Sequence, residues 1–169
     1  MRRFFIWSAL AAVIGLILAG TGWLADRIGS MRFAMFTFRD QYDHLVSQPM
    51  TKQDIDAEGG LWFFVNSTTE LWDSIGHQPE VNVSFADNEN STYVSVSGRA
   101  ERVVDRAQVQ ARWNPMVQAW FPHGPDDEHV VLVRVSPHSA EYWDSNDSKM
   151  VRLFQTELEH YEKIEGITL

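Results

Sequence analysis

The 169 residues contain no cysteine. This removes disulfides, thiolate metal sites and cysteine nucleophiles, and leaves the redox compartment open. Positive charge is also scarce, with 14 Lys and Arg against 23 Asp and Glu and a formal net charge of -9. No basic run or aromatic-basic stripe offsets that balance, so no nucleic-acid partner is expected. The six histidines, at 44, 77, 123, 129, 138 and 160, have no ligand-pair spacing. Asp126-Asp127-Glu128 and Asp144-Ser-Asn-Asp147 lack the glycine and distal glutamate of a calcium loop and read as solvated turns. No metal site is expected. Gly-x-Ser-x-Gly, Walker and dinucleotide fingerprints are missing, which leaves nucleophilic and nucleotide hydrolysis without support. No side chain stands out as a catalytic acid or base, and there is neither an internal repeat nor a low-complexity segment.

Long apolar runs are also few, and the longest is at the N-terminus. Arg2 and Arg3 precede 22 uncharged residues, Phe4 to Ala25, enough at roughly 1.5 Å per residue to cross a ~30 Å hydrocarbon core. Residues 1–22 are read as a signal-anchor that leaves the basic end inside and exports the domain behind it, so a membrane contact through this helix is expected. A cleaved signal peptide and a cytoplasmic protein whose first helix packs on the domain remain as alternatives. The remaining length suits a single domain with one well-buried core.

Beyond residue 30 the pattern is mostly strand-like. Phe33 to Phe38, His44 to Met50, Leu61 to Val65, Val81 to Phe85, Tyr93 to Val104 and His129 to Val135 are β-branched or aromatic runs bounded by Asp, Asn, Gly and Pro. Tyr93-Val-Ser-Val-Ser alternates as a strand with one wet face does, whereas Val130-Val-Leu-Val reads as buried on both faces. Helices are expected over Thr68 to His77, Asp105 to Trp113 and Lys149 to Lys163; the last has Val151, Phe154, Leu158 and Tyr161 on one stripe. The expected fold is mainly β with peripheral helices, a barrel of about six antiparallel strands. Trp62, Phe63 and Phe64 are consecutive, and alternation cannot hide three rings inside one small barrel, so at least one is expected to meet a partner or ligand.

Trp113 to Asp144 holds three tryptophans and four prolines in 32 residues. Large rings on stiff backbone make good walls for a flat ligand. The wording of this stretch, with Trp113-Asn-Pro, Ala119-Trp-Phe-Pro and Glu141-Tyr-Trp-Asp, follows Pro79-Glu-Val-Asn-Val-Ser-Phe-Ala-Asp and Tyr93-Val-Ser-Val-Ser-Gly. Together these segments resemble the general stress protein branch of the pyridoxamine 5'-phosphate oxidase-like split barrels, from about Trp23 to Phe154. The resemblance implies an FMN-binding split barrel over residues 23–169. It also implies a homodimer with the flavin in a groove at the subunit interface and, if the protein is an enzyme, an FMN-dependent oxidoreductase. The alternatives are a binding module that holds a flavin or other planar ligand without turnover, and a dimeric scaffold that has lost its cofactor.

The candidate cofactor-binding residues are Ser47, Gln48, Pro49, Met50, Phe64, Val65, Thr69, Trp113 and Trp120, together with Lys52, which lies two residues beyond Met50 and on the same face if the strand continues. A flavin phosphate is usually held by cations, hydroxyls and backbone N–H groups, and the ring by apolar or aromatic contact. Ser47-Gln48-Pro49-Met50 stands where the family commonly reads Ser-Arg-Pro-Met, and Thr69-Glu70-Leu71 where it commonly reads Ser-x-Lys. Two expected cations are thus replaced, by Gln48 and Leu71, and weak or altered FMN binding is implied. Lys52, Arg99 and Arg102 are the candidates to restore positive charge.

Overall fold

The computed structural model describes Gly22 and residues 24–144, together with the backbone of 149–154 and 162–165. Six strands close into an antiparallel barrel: β1 (Phe33–Arg39), β2 (Leu45–Ile55), β3 (Leu61–Asn66), β4 (Glu80–Asp87), β5 (Thr92–Val103) and β6 (Val130–Asp144). Their order is β3-β2-β1-β4-β5-β6, and pairing of β3 with β6 completes the ring. β6 is long enough to serve twice. Val130 to Val135 pairs with Asn66 to Leu61 on one side, while Leu132 to Asp144 runs along β5 on the other.

Period-2 alternation sends Ala34, Phe36 and Phe38 of β1, Val81, Val83 and Phe85 of β4, and Val94 and Val96 of β5 into one core. Helix α1 (Glu70–His77) closes one side of that core with Leu71, Trp72 and Ile75. Thr69 caps it, and the chain leaves toward Pro79 as expected for a helix stopped by proline.

The three consecutive aromatics are all buried. Phe63 points into the barrel, edge-on to Phe36 with centroids 5.4 Å apart. Trp62 and Phe64 point outward, where α2 (Arg106–Arg112) and α3 (Pro115–Trp120) cover them with Val109 and Val117. A second, smaller core therefore lies outside the barrel wall. Asp105 caps α2, and Asn114 followed by Pro115 caps α3 and starts it, an N-cap and N1 pair suited to both residues. Helix α3 was not anticipated. The Arg106 guanidinium fastens the loop behind it by donating to the carbonyls of Pro125, Asp127 and Val130.

Two expectations are corrected. The backbone over part of Lys149 to Lys163 is extended rather than helical: β7 (Lys149–Phe154) pairs with β6, and β8 (Glu162–Glu165) pairs with β7. The physical reason is the length of β6. Beyond Val135 it leaves β3, and from Ser139 onward its unpaired edge takes β7. The apolar spacing used to infer a helix covers too few turns to outweigh that pairing.

The membrane anchor is corrected as well. Among the described residues no helix is long and apolar enough to cross a membrane. Most of the stretch from Phe4 to Ala25 lies outside the described residues, but its end does not. Leu24 and Ile28, on a short helix over 24–28, are 5% and 0% exposed and belong to the main core. Apolar length alone does not distinguish a lipid surface from a protein core, and this end of the run meets protein.

Candidate functional site

A groove of about 250 Å³ runs between the barrel wall and α3. Gln48 to Thr51 and Gln53 of β2 form one bank, and the end of β3, Phe64 to Asn66, forms the floor with Thr69 at the start of α1. Met116, Val117, Trp120 and Phe121 form the other bank. The Asn114 side-chain N–H donates to Gln53 Oε1 at 2.9 Å, tying the start of α3 to β2 and fixing the spacing of the banks. Trp120, at the rim, is 72% exposed. No lining residue is ionisable, so the groove presents aromatic faces, aliphatic surface, amides and hydroxyls.

Seven of the ten residues singled out in the sequence line this groove: Gln48, Pro49, Met50, Phe64, Val65, Thr69 and Trp120. Three do not. Ser47 faces the outer side of the β1–β2 pair, its hydroxyl 2.6 Å from that of Thr37. Trp113 stands behind the wall, edge-on to Phe64 with centroids 5.5 Å apart, and supports it from outside. Lys52 turns its ammonium to the carbonyls of Ile28 and Gly29, at 2.7 and 3.2 Å. Burial lowers its pKa, with nearby Asp54 opposing the shift. Thr51, Gln53, Asn66, Met116, Val117 and Phe121 complete the lining and were missed. The Asn114-Pro115 cap was the signal that would have placed the last three.

The candidate cations are committed elsewhere. Arg99 pairs with Glu80 at 3.6 Å, and the Arg102 guanidinium lies 5.2 Å from the ring centre of Trp72. Leu71 does not stand in the groove at all: it is 1% exposed, in the main core, so a lysine there would be buried rather than presented to a ligand. Thr69 commits its hydroxyl to α1, donating to the Asn66 carbonyl at 2.8 Å and accepting from the Trp72 N–H.

Pro49 is also part of a second, shallower hollow of about 420 Å³ on the outer barrel face, with Phe33, Met35, Tyr93 and Trp143. Phe33 is 65% exposed and Met35 43%. Met35 lies opposite Pro49 in the β1–β2 register. A single residue thus separates the groove from an exposed apolar face.

The flavin that the resemblance implies needs a site of sufficient volume, an aromatic or apolar wall and a cation for its phosphate. A 250 Å³ groove falls short of the roughly 300–1,000 Å³ usual for small-molecule sites. It fits a flat ring against Phe64, Trp120 and Phe121, with the Gln48 amide, which has no side-chain hydrogen bond among the described residues, beside it, and leaves the other ring face to be covered from outside. The aromatic half of the requirement is met within the groove lining; the cationic half is not.

The closed six-stranded barrel, with helices packed on the outer side of β3 and β6, is a split barrel. The chain belongs to the pyridoxamine 5'-phosphate oxidase-like family, whose description, Pyridoxamine 5'-phosphate oxidase like, matches residues 21–163. Protein bli-3 of Neurospora crassa is 31% identical over 129 residues, and the match covers 70% of this chain and 62% of that relative, less than two thirds of its length. Among solved structures, a Clostridium acetobutylicum protein related to general stress protein 26 superimposes with a TM-score of 0.69 at 17% identity, over 84% of this chain and 96% of the other. The general stress FMN/FAD binding protein of Xanthomonas citri superimposes with a TM-score of 0.62 at 24% identity, over 88% of this chain and 94% of the other. These structural likenesses establish a shared fold.

Proposed function

We propose that residues 23–169 bind FMN in the groove between β2, β3 and α3, and that the chain acts as a homodimer whose second copy covers the open side. The observation that carries this reading is convergence: β2, β3, the start of α1 and the end of α3 bring Gln48 to Met50, Phe64, Val65, Thr69 and Trp120, from segments far apart in sequence, to one aromatic-walled groove. The solved split barrel described as FMN/FAD binding supports a flavin as the ligand class. The apolar face of Phe33, Met35 and Tyr93 supports the dimer, because it adjoins the groove at Pro49 and stands exposed in the single chain.

When bound, the flavin supplies electron or hydride transfer. The chain's own part is to bind and orient. Phe64, Trp120 and Phe121 offer ring contact, while the Gln48 amide and the Asn66 side-chain N–H, whose Oδ1 is taken by the Thr68 N–H and hydroxyl, can meet the polar ring edge. The absence of an ionisable group from the lining favours a holding role, in which the protein positions the ligand and moves no proton itself. The test is the absorption spectrum of the purified protein before and after incubation with FMN and gel filtration. Retained two-banded flavin absorption at one flavin per chain is expected, and complete loss of flavin on the column, with no saturable binding at equilibrium, overturns the reading.

A further inference from the structure

We infer that Arg32 supplies the positive charge for the flavin phosphate at this groove, whose own lining carries none. This rests on the flavin reading above. Arg32 lies just before β1, and its carbonyl accepts from the Lys52 N–H at 2.8 Å, which places it at the β2 bank. Its guanidinium reaches across to α3 and touches Met116 Sδ through Nη2. Met116 lines the groove and Arg32 does not, so the guanidinium stands one side chain away from the lining, against Met116.

That contact is unusual for an arginine. A thioether is a weak acceptor, and Arg32 makes no ion pair among the described residues. The other cations near the groove are engaged: Lys52 with the carbonyls of Ile28 and Gly29, and Arg112 with Asp54 at 3.3 Å and over the Trp62 ring at 3.8 Å. An exposed guanidinium resting on sulfur gives up little when an anion arrives, and its planar fork matches two phosphate oxygens at once. In a chain of net charge -9, a dianionic phosphate needs such a local counter-charge.

FMN and riboflavin differ only in the phosphate, which separates the two readings. Each is titrated by flavin fluorescence into the full chain, Arg32→Met and Arg32→Lys, with melting temperatures recorded in parallel. The expected result is at least tenfold weaker FMN binding in Arg32→Met, a smaller loss in Arg32→Lys, and riboflavin affinity unchanged within twofold. If FMN and riboflavin bind equally to the unaltered chain, or if Arg32→Met weakens both alike or neither, Arg32 is not the phosphate residue and the flavin groove stands. If the unaltered chain binds neither flavin, the flavin reading falls and this assignment falls with it.

Discussion

Arg134 Nε donates to Asp56 Oδ2 at 2.6 Å across 78 residues of sequence, fastening β6 to the turn that joins β2 and β3. The same oxygen accepts the Trp62 indole N–H at 2.8 Å, and Oδ1 accepts the Gly60 N–H at 2.7 Å. Gly60 is needed for this approach, since a Cβ there would stand 2.6 Å from both Arg134 Nε and Asp56 Oδ2. The cluster sets where β3 begins, and so where Phe64 arrives in the groove wall.

That cluster predicts an acid-sensitive share of stability. Burial pushes the Asp56 carboxyl up, but hydrogen bonds from Arg134, Trp62 and Gly60 outweigh it and hold the group at about 2. A depressed folded pKa stabilises fully above the unfolded value, and the contribution disappears as pH falls from about 4 toward the folded value. The share is about 1–2 kcal/mol after allowance for solvent screening. Asp56→Asn is expected to lose roughly 2 kcal/mol at neutral pH, since it leaves Arg134 partly buried without its partner. Chemical denaturation of both proteins from neutral pH down to pH 2 measures this, and an equally steep acid loss in Asp56→Asn assigns the sensitivity to other groups.

Restoring cations is expected to have opposite consequences at two positions. Gln48→Arg places a charge in the groove lining and should tighten FMN about tenfold, as expected for one added charge-assisted contact of more than ~1 kcal/mol. Leu71→Lys places an ammonium in the main core and should cost several kcal/mol of stability, roughly as for any unpaired buried charge. Paired titrations and melts distinguish them; a stable Leu71→Lys protein with tighter FMN would put residue 71 in the site after all.

Phe33 and Met35 predict the oligomeric state. Replacing Met35 by Glu puts a charge into the apolar outer face beside Pro49, and sedimentation is expected to find the unaltered chain dimeric and Met35→Glu monomeric, with little change in melting temperature. A dimer that persists in Met35→Glu places the interface elsewhere.

Much of this was legible in the sequence, for reasons that differ by element. The β-branched runs of β1, β4 and β5 alternate cleanly because one face is core, so their positions follow from period alone. The Trp62-Phe63-Phe64 run exceeds what one barrel interior holds, but the two outer rings are covered by helices of the same chain, where at least one was expected to meet a partner or ligand. What covers its outer rings depends on α2 and α3 folding back from some 50 residues away, which no local pattern announces. Leu71 illustrates the same limit: motif alignment placed it at a cation position, but helix phase turns it into the core. Lys52 was expected in the site because it shares a face with Met50, yet the carbonyls at the end of the 24–28 helix claim its ammonium. The apolar run of β6 ends at Val135, just before Pro137, so the sequence pattern stops the strand there, whereas the ladder with β5 continues to Asp144 past a register shift between Ser97 and Gly98.

The central claim, that a flavin lies against the α3 bank of the groove, is tested most directly at Trp120. This ring is 72% exposed and lines the groove, so its removal should leave the fold intact, unlike a core tryptophan whose truncation costs ~3–5 kcal/mol. Titrating FMN into the unaltered chain and Trp120→Ala by flavin fluorescence, with thermal melts alongside, is the decisive measurement. The predicted result is saturable binding at one flavin per chain, weakened about tenfold or more in Trp120→Ala at an unchanged melting temperature. Equal FMN affinity in the two proteins, or no saturable binding in either, would contradict the claim.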